Sequence, residues 1–460
     1  MKKIISLAII AAFMVSNALP SYAINDVNKD TGIVKTTKKT KLKPASNKYD
    51  YINMEWWKGF NDPILEDYIV KAVEHNKDLK MATLSVDEYY QQVAIQRAGE
   101  LPLVSGGFTP GYGNFGGKTH ESFGFPIIAS YELDLLGKNH NKTTAQRKIY
   151  ESKIYDEQSA YIGVASAVGI SYINIVRLDA MIDMQSEIVE LRKDIYEMME
   201  ISNREGMAST SDLVRANEMY ISGVTDLTEL KKQRTQLLNS LAVLIGDSPN
   251  NIEEYKRTNW KELVYTGVIP EYVSSEIIMQ RPDYLKAEKM LEKAGIDVKI
   301  ARKEFLPVIN LGGGILFKSQ NIDSLFTMSN ALWGLGGGIM QSLFAGGSIK
   351  ANLKLKKLAY EKSLKNYEKV NLTAMQEVND TLVSVNMDRE KLSKQQEILD
   401  LEKKDFSLTE LKYDEGIISR LDLNQRKENL MNVNKMTYSS KFDCMVDYIN
   451  YYKAVGAKIL

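Results

Sequence analysis

The feature that most limits how this chain can fold is a duplication. Asp78, Arg97 and Leu101-Pro102 recur as Asp283, Arg302 and Leu306-Pro307, each 205 residues later. Farther along, Gly206, Ser209, Asp212 and Leu213 recur as Gly416, Ser419, Asp422 and Leu423, each 210 residues later. Two matches in the same order point to two copies of one series of elements. Each copy reads as a helix of roughly 35 residues, a stop at Leu-Pro, two Gly-rich segments, a helix of roughly 60 residues, a turn and another long helix. Asp62 is placed as an N-cap with Pro63 in the first helical position, and the second copy starts near Pro282-Asp283.

The Gly-rich segments alternate with period two, as strands with two different faces do. Phe123, Phe125, Ile127, Ala129, Tyr131 and Leu133 point one way, and Gly124, Pro126, Ile128, Ser130, Glu132 and Asp134 the other. In the second copy Ile309, Leu311, Ile315 and Phe317 share a face, and Trp333, Leu335 and Ile339 share another. The stretch from Pro102 to Pro110 is a weaker member of the set. Each segment approaches the length of a membrane-spanning strand, about 9–11 residues. A soluble hairpin on a core would show the same alternation. Four such segments behind an export signal favour the membrane reading. Four strands cannot close a barrel, since about eight is the smallest number that does. Unpaired edges are not tolerated in lipid, so several chains must share one barrel.

The long helices carry coiled-coil spacing. Val378, Val385, Leu392, Leu399, Phe406 and Tyr413 recur every seven residues, with Met375 and Leu382 in the second heptad position. Val168, Ile175, Ile182, Val189 and Tyr196 do the same in the first copy. Sixty residues of helix span about 90 Å, the scale of a spacer across a periplasm.

Lys2 and Lys3, an apolar stretch from Ile4 to Val15 and Ser21-Tyr22-Ala23 form a cleavable export signal over residues 1–23. The sequence offers no later apolar run of membrane length. Lys+Arg and Asp+Glu both number 59, so no general attraction to nucleic acid is expected. Cys444 is the single cysteine; it allows no internal disulfide and leaves none after the signal to carry a lipid. With three histidines besides, no metal site is expected. No Ser/His/Asp set, HExxH, CxxC or nucleotide motif is present, so the chain is read as no enzyme, with no cofactor. Gly312-Gly313-Gly314 and Gly336-Gly337-Gly338 lie inside alternating segments and serve strand curvature or close packing.

Trp56-Trp57, Phe60-Asn61-Asp62-Pro63 and Asn76-Lys77-Asp78-Leu79 resemble the start of TolC-like outer-membrane factors, especially the multidrug-efflux branch. Tyr131 to Gly137, Leu244 to Pro249 and Arg281-Pro282-Asp283 with Ala287-Glu288 extend the resemblance over nearly everything past residue 50. The resemblance implies a mixed, mainly α fold: a long α-helical coiled-coil barrel continuing a trimeric, twelve-stranded transmembrane β-barrel with four strands per chain. It implies a homotrimer in outer-membrane lipid, extending into the periplasm, which docks with a periplasmic adaptor and an inner-membrane transporter. Such a duct is passive and exports drugs, metal ions or whole proteins. The expected organisation is signal peptide 1–23, Lys-rich tail 24–50, first repeat 51–255, equatorial linker 256–280 and second repeat 281–460. Many relatives in that branch are lipoproteins, whereas this chain is expected to be unlipidated. Small toxic compounds are the expected cargo. The exit channel of a type I protein-secretion system and a periplasmic structural coiled-coil protein are the alternatives.

The resemblance also places the two Gly-x-x-Ser-x-x-Asp-Leu turns at the periplasmic tip. Asp212 and Asp422 fall where acidic residues ring the entrance, and Tyr413 matches a tyrosine of the constraining network. The usual basic partner is replaced by Ile418, with Arg420 two positions on. Gly206 and Gly416 read as left-handed helix C-caps, and Ser209 and Ser419 have the spacing of capping boxes with their aspartates. Three chains would crowd the carboxylates, raise some of their pKa values and favour cations.

Overall fold

The computed structural model describes residues 56–115, 118–250, 252–267, 269 and 273–456. The export signal and the Lys-rich tail lie outside the described residues. The chain forms two compact units, each drawing on both halves of the sequence. One comprises Glu88–Arg147 and Gly295–Lys357; the other takes the described residues up to Asp87, Lys148–Ala294 and those from Leu358 on.

The first unit is built on an antiparallel sheet of five strands: β1 (Leu103–Gly106), β2 (Thr109–Phe115), β3 (Lys118–Leu133), β4 (Val308–Ser319) and β5 (Ala331–Met340). β1 and β2 both pair with β3 in one unbroken register, Leu103 opposite Ser130 and Thr109 opposite Gly124. They are one expected strand with an interruption at Gly107-Phe108. Its cause is Pro126: the Gly107 N–H donates to the Pro126 carbonyl at 3.1 Å, but proline has no N–H to return. The sheet is thus a four-strand path, (β1, β2)–β3–β4–β5, whose first member runs past Pro110 to Phe115.

The register merges the separately read apolar sets into one surface. Ile127 pairs with Ile315 and Ile315 with Trp333, while Tyr131 pairs with Leu311 and Leu133 with Ile309. Paired residues share a face, so Val104, Phe123, Phe125, Ile127, Tyr131, Leu311, Ile315, Phe317, Trp333 and Leu335 form a single apolar face. The opposite face carries Ser105, Thr109, Ser122, Ser130, Glu132, Asn310, Gly312, Gly314, Lys318, Gly334, Gly336 and Gly338, with Leu103, Ile128, Leu316 and Leu332 among them. At Gly314 a Cβ would sit 2.6 Å from the Ile127 carbonyl oxygen, so strand approach there requires glycine.

Helices enter and leave the sheet at one end. Asp134 caps the helix that follows β3, its carboxylate accepting from the backbone N–H of Lys138 at 2.6 Å and of His140 at 2.8 Å.

Seven long helices carry the rest: α1 (Pro63–His75), α2 (Lys77–Ala98), α3 (Lys138–Arg204), α4 (Thr210–Leu244), α5 (Pro282–Lys303), α6 (Ser348–Asp414) and α7 (Arg420–Val455). The duplication is metric. α2 and α5 both have 22 residues and are offset by 205 at each end; α3 and α6 both have 67 and are offset by 210. The single 35-residue helix expected at the start is divided at Asn76. Its side chain accepts from the Leu79 N–H at 3.0 Å and donates to the Leu244 carbonyl at 2.8 Å, a cap that restarts the helix. Asp62 caps α1 as expected, accepting from the N–H of Ile64 and Leu65.

In the helical unit the heptad residues Val168, Ile175, Ile182, Val189, Val378, Val385 and Leu399 are buried. α3 contains an 18-residue window of mean hydropathy 1.5, interrupted by polar residues, and 56% of it is buried within the protein. Val168, Tyr172, Ile173, Ile175 and Val176 explain it as packed core.

Residues 252–267 strap this unit. The Arg257 guanidinium pairs with Asp179 at 2.7 Å, and the Trp260 indole donates to Asp183 at 2.9 Å while its ring meets Tyr438 edge-on. Tyr265 packs on Tyr448 and donates to the Tyr452 hydroxyl. Arg281, read as part of a helix start, does more: buried, it pairs with Asp283 and Glu377 and donates to the Ala454 carbonyl, tying α5, α6 and the end of α7.

Candidate entrance turns and the network behind them

The two helix reversals are built alike. At the first, α3 ends at Arg204 and Gly206 takes φ +72°. The Gly206 N–H donates to the Asn203 carbonyl and the Met207 N–H to the Ser202 carbonyl. At the second, Gly416 takes φ +73°, with Gly416 donating to Tyr413 and Ile417 to Lys412. This pair of bonds is the Schellman C-cap, and the left-handed glycine is what permits it. The side chains after the glycines, Met207 and Ile417, are exposed.

Each turn then restarts a helix through serine. The Ser209 hydroxyl accepts from the Asp212 N–H at 3.2 Å and donates to the Asp212 carboxylate at 2.7 Å. Ser419 and Asp422 repeat these distances and add the reciprocal bond, the Ser419 N–H donating to Asp422 at 3.1 Å. Only the second turn therefore completes the capping box. The Ser419 hydroxyl and N–H hold the Asp422 carboxyl below its usual range, so within one chain it is a ready anion. Asp212 and Asp422 are both exposed.

Tyr413 is half-buried in the last turn of α6, and its backbone carbonyl receives the Gly416 bond. Arg420 is the exposed first residue of α7. Among the described residues no hydrogen bond or ion pair joins Tyr413, Arg420, Asp212 and Asp422 across the two turns. The link between the hairpins lies behind them. Leu421 packs with Leu191, Ile195 and Ala216 in one cluster. One heptad deeper the Arg192 guanidinium bonds Glu428 through Nε at 2.9 Å and Nη2 at 2.7 Å, and its Nη1 donates to the Met219 carbonyl at 3.0 Å. One arginine thus joins α3, α4 and α7. The Lys435 ammonium donates to Gln185, whose amide donates to the Gly223 carbonyl. Burial pushes the Lys435 pKa down.

Still farther from the turns, Asp447 on α7 faces Asp388 on α6. Asp447 Oδ2 is buried without a hydrogen-bond donor. Burial, then the bond to and charge of Asp388, push its pKa up to about 7. Asp443 and Lys391 stand beside it, and Arg177 of α3 pairs with Asp443 at 2.9 Å. None of Arg192, Glu428, Asp388 or Asp447 stood out in the sequence. Their pairing depends on which helices pack together, and only an aligned set of sequences showing paired changes would reveal it.

An antiparallel sheet with one apolar face and two 67-residue helices are the elements of an outer-membrane channel that has both a β-barrel and a helical barrel. Comparison with known proteins agrees. The model of the outer membrane efflux protein family matches residues 68–247 and 273–440, and the chain belongs to that family. It is 27% identical over 414 residues to the probable efflux pump outer membrane protein TtgC of Pseudomonas putida, covering 87% of this chain and 84% of that one. It is 28% identical over 410 residues to the cation efflux system protein CusC of Escherichia coli O157:H7, covering 88% and 89%. A crystal structure of CusC superposes with a TM-score of 0.77 at 26% identity, covering 87% of this chain and 94% of that one. The outer membrane channel CmeC of Campylobacter jejuni superposes with a TM-score of 0.80 at 25% identity, covering 88% and 89%. The protein is an outer-membrane efflux channel by family and fold.

Proposed function

We propose that this chain is the passive exit duct of a tripartite efflux system: three copies form a twelve-stranded barrel in the outer membrane and a helical tunnel in the periplasm. The observation that carries this reading is the sheet itself. Its apolar face suits lipid, its opposite face suits a water-filled lumen, and its path ends at (β1, β2) on one side and β5 on the other. Backbone groups on such edges have no water to bond in hydrocarbon, so β5 of one copy pairs with β1 and β2 of the next. Exposed apolar residues along α6, including Leu372, Val383, Met387, Leu401 and Leu408, support burial against neighbouring copies as well.

The energy for transport comes from an inner-membrane transporter reached through a periplasmic adaptor. The duct performs no chemistry of its own and needs no cofactor. Its role is to give cargo a sealed path and a controlled entrance. In this reading Gly206, Ser209, Gly416 and Ser419 shape the periplasmic turns. Asp212 and Asp422 supply a ring of carboxylates that prefers cations, and Tyr413 and Arg420 border it. Small toxic compounds are the cargo, in keeping with relatives named for efflux pumps and cation efflux. An export signal at 1–23 sends the chain out and leaves it unlipidated; the two repeats at 51–255 and 281–460 flank an equatorial linker at 256–280.

The test is the outer-membrane fraction solubilised in detergent, run unheated on a gel, with circular dichroism of the same sample. A trimer with a predominantly helical spectrum and a minor β component is expected. A protein that high salt extracts from membranes would overturn the barrel and favour a periplasmic coiled coil.

A further inference from the structure

We propose that the β4–β5 connection, residues 320–330, is a membrane-surface anchor seated on the acyl chains of the outer leaflet, and not a lid across the pore. The proposal rests on the reading that the apolar sheet face meets lipid. The connection lies at the end of the sheet opposite the helices, where β4 ends at Ser319 and β5 begins at Ala331. Its Phe326 ring meets Phe125 at 5.3 Å and Phe317 at 5.6 Å, both edge-on. Phe125 and Phe317 are a register pair on the apolar face. Phe108 stacks on Phe123 nearby, so the apolar face ends in an aromatic rim with Phe326 laid over it.

The segment is fitted for this place by its chemistry. Several of its polar groups bond one another: the Ser319 and Ser324 hydroxyls bond each other at 2.7 Å, and the Asn330 amide and Thr327 hydroxyl both donate to the Ser324 carbonyl at 2.8 Å. Leu325 is buried, whereas Ile322, Phe326 and Met328 are exposed, Met328 at 81%. Asp323 is the one charged residue from 319 to 330. A loop that bonds several of its own polar groups and presents Ile322, Phe326 and Met328 continues the apolar face beyond the strands. A lid would have to cross the glycine-rich face instead, and the ring contacts go to the other side. Aromatic side chains suit this level of a membrane, where an apolar ring meets the edge of the hydrocarbon.

The experiment uses the full chain with Met328→Cys in a Cys444→Ala background, labelled with an environment-sensitive fluorophore and reconstituted in phosphatidylcholine vesicles. Vesicles with lipids brominated near the headgroup are compared with unbrominated ones. Trp333 fluorescence, isolated by difference with Trp333→Phe, reports the barrel face in parallel. The expected result is quenching of the residue-328 label to half its intensity or less, together with quenching of Trp333. Quenching of Trp333 alone, with the label open to aqueous iodide, would overturn the anchor and leave the barrel standing. Quenching of neither would overturn the barrel reading and the anchor with it.

Discussion

Replacing Asp447 by Asn should remove a pH dependence that the helical unit otherwise shows. Asp447 and Asp388 face each other across α7 and α6, and the buried Oδ2 of Asp447 has no donor. Two carboxylates can bond each other only while one holds a proton. Burial, with Asp388 beside it, pushes the Asp447 pKa from 3.8 up to about 7. The folded state therefore binds more protons than the unfolded state between those values. Stability is then greatest near pH 4, falls as the pH rises toward 7, and is level above that. Three pKa units would correspond to about 4 kcal/mol. Asp447 is only half-buried and shares its proton with Asp388, so we expect about 1–2 kcal/mol. Infrared spectra at pH 6 should show a protonated-carboxyl band that Asp447→Asn lacks. Urea unfolding followed by helical circular dichroism should give a stability that declines from pH 4.5 to 7.5 in the parent and less steeply in the variant. Equal slopes in both, with no carboxyl band lost, would refute the shared proton.

Other substitutions probe the remaining elements. Gly206→Ala and Gly416→Ala force a side chain into left-handed backbone and should each cost about 1 kcal/mol in thermal unfolding of the detergent-solubilised protein. Loss of the Arg192–Glu428 pair should be non-additive: Arg192→Met strands the buried Glu428 carboxylate and costs about 3–5 kcal/mol, Glu428→Leu strands the half-buried Arg192 and costs less, and the double variant costs less than the sum. A Val at Gly314 places its Cβ against the Ile127 carbonyl, so Gly314→Val should abolish the gel-resistant oligomer while the helical signal in circular dichroism persists. Asp212→Asn with Asp422→Asn should lower cation selectivity in planar-bilayer recordings, and unchanged selectivity would remove the carboxylate ring from the entrance.

Much of the fold was legible because it repeats. The offset of 205 tied Asp78, Arg97 and Leu101-Pro102 to their counterparts in the second copy, and the turn motif at 210 located both reversals with their glycines and serines. Period-two alternation found β3, β4 and β5, but it undervalued the first strand. Thr109 to Phe115 is rich in glycine and has few apolar residues, so its pairing partner, not its own pattern, defines it. The break at Asn76 escaped notice because asparagine inside a helical pattern looks like a tolerated polar residue. Its capping role depends on the distant Leu244 carbonyl. The same reason hid the network behind the turns. Arg192 and Glu428 are 236 residues apart, and charge alone marks dozens of equivalent candidates.

The equal lengths of α3 and α6, 67 residues each, make the chain a ruler with two matched scales. One heptad adds about 10.5 Å of helix. A duct built on this chain cannot be lengthened by a single insertion. Seven residues added to α3 alone would carry its glycine turn past that of α6, and α4 would return out of step with α7. The added length must enter four helices together, in whole heptads, so the duplication constrains the protein's growth as firmly as it once built the chain.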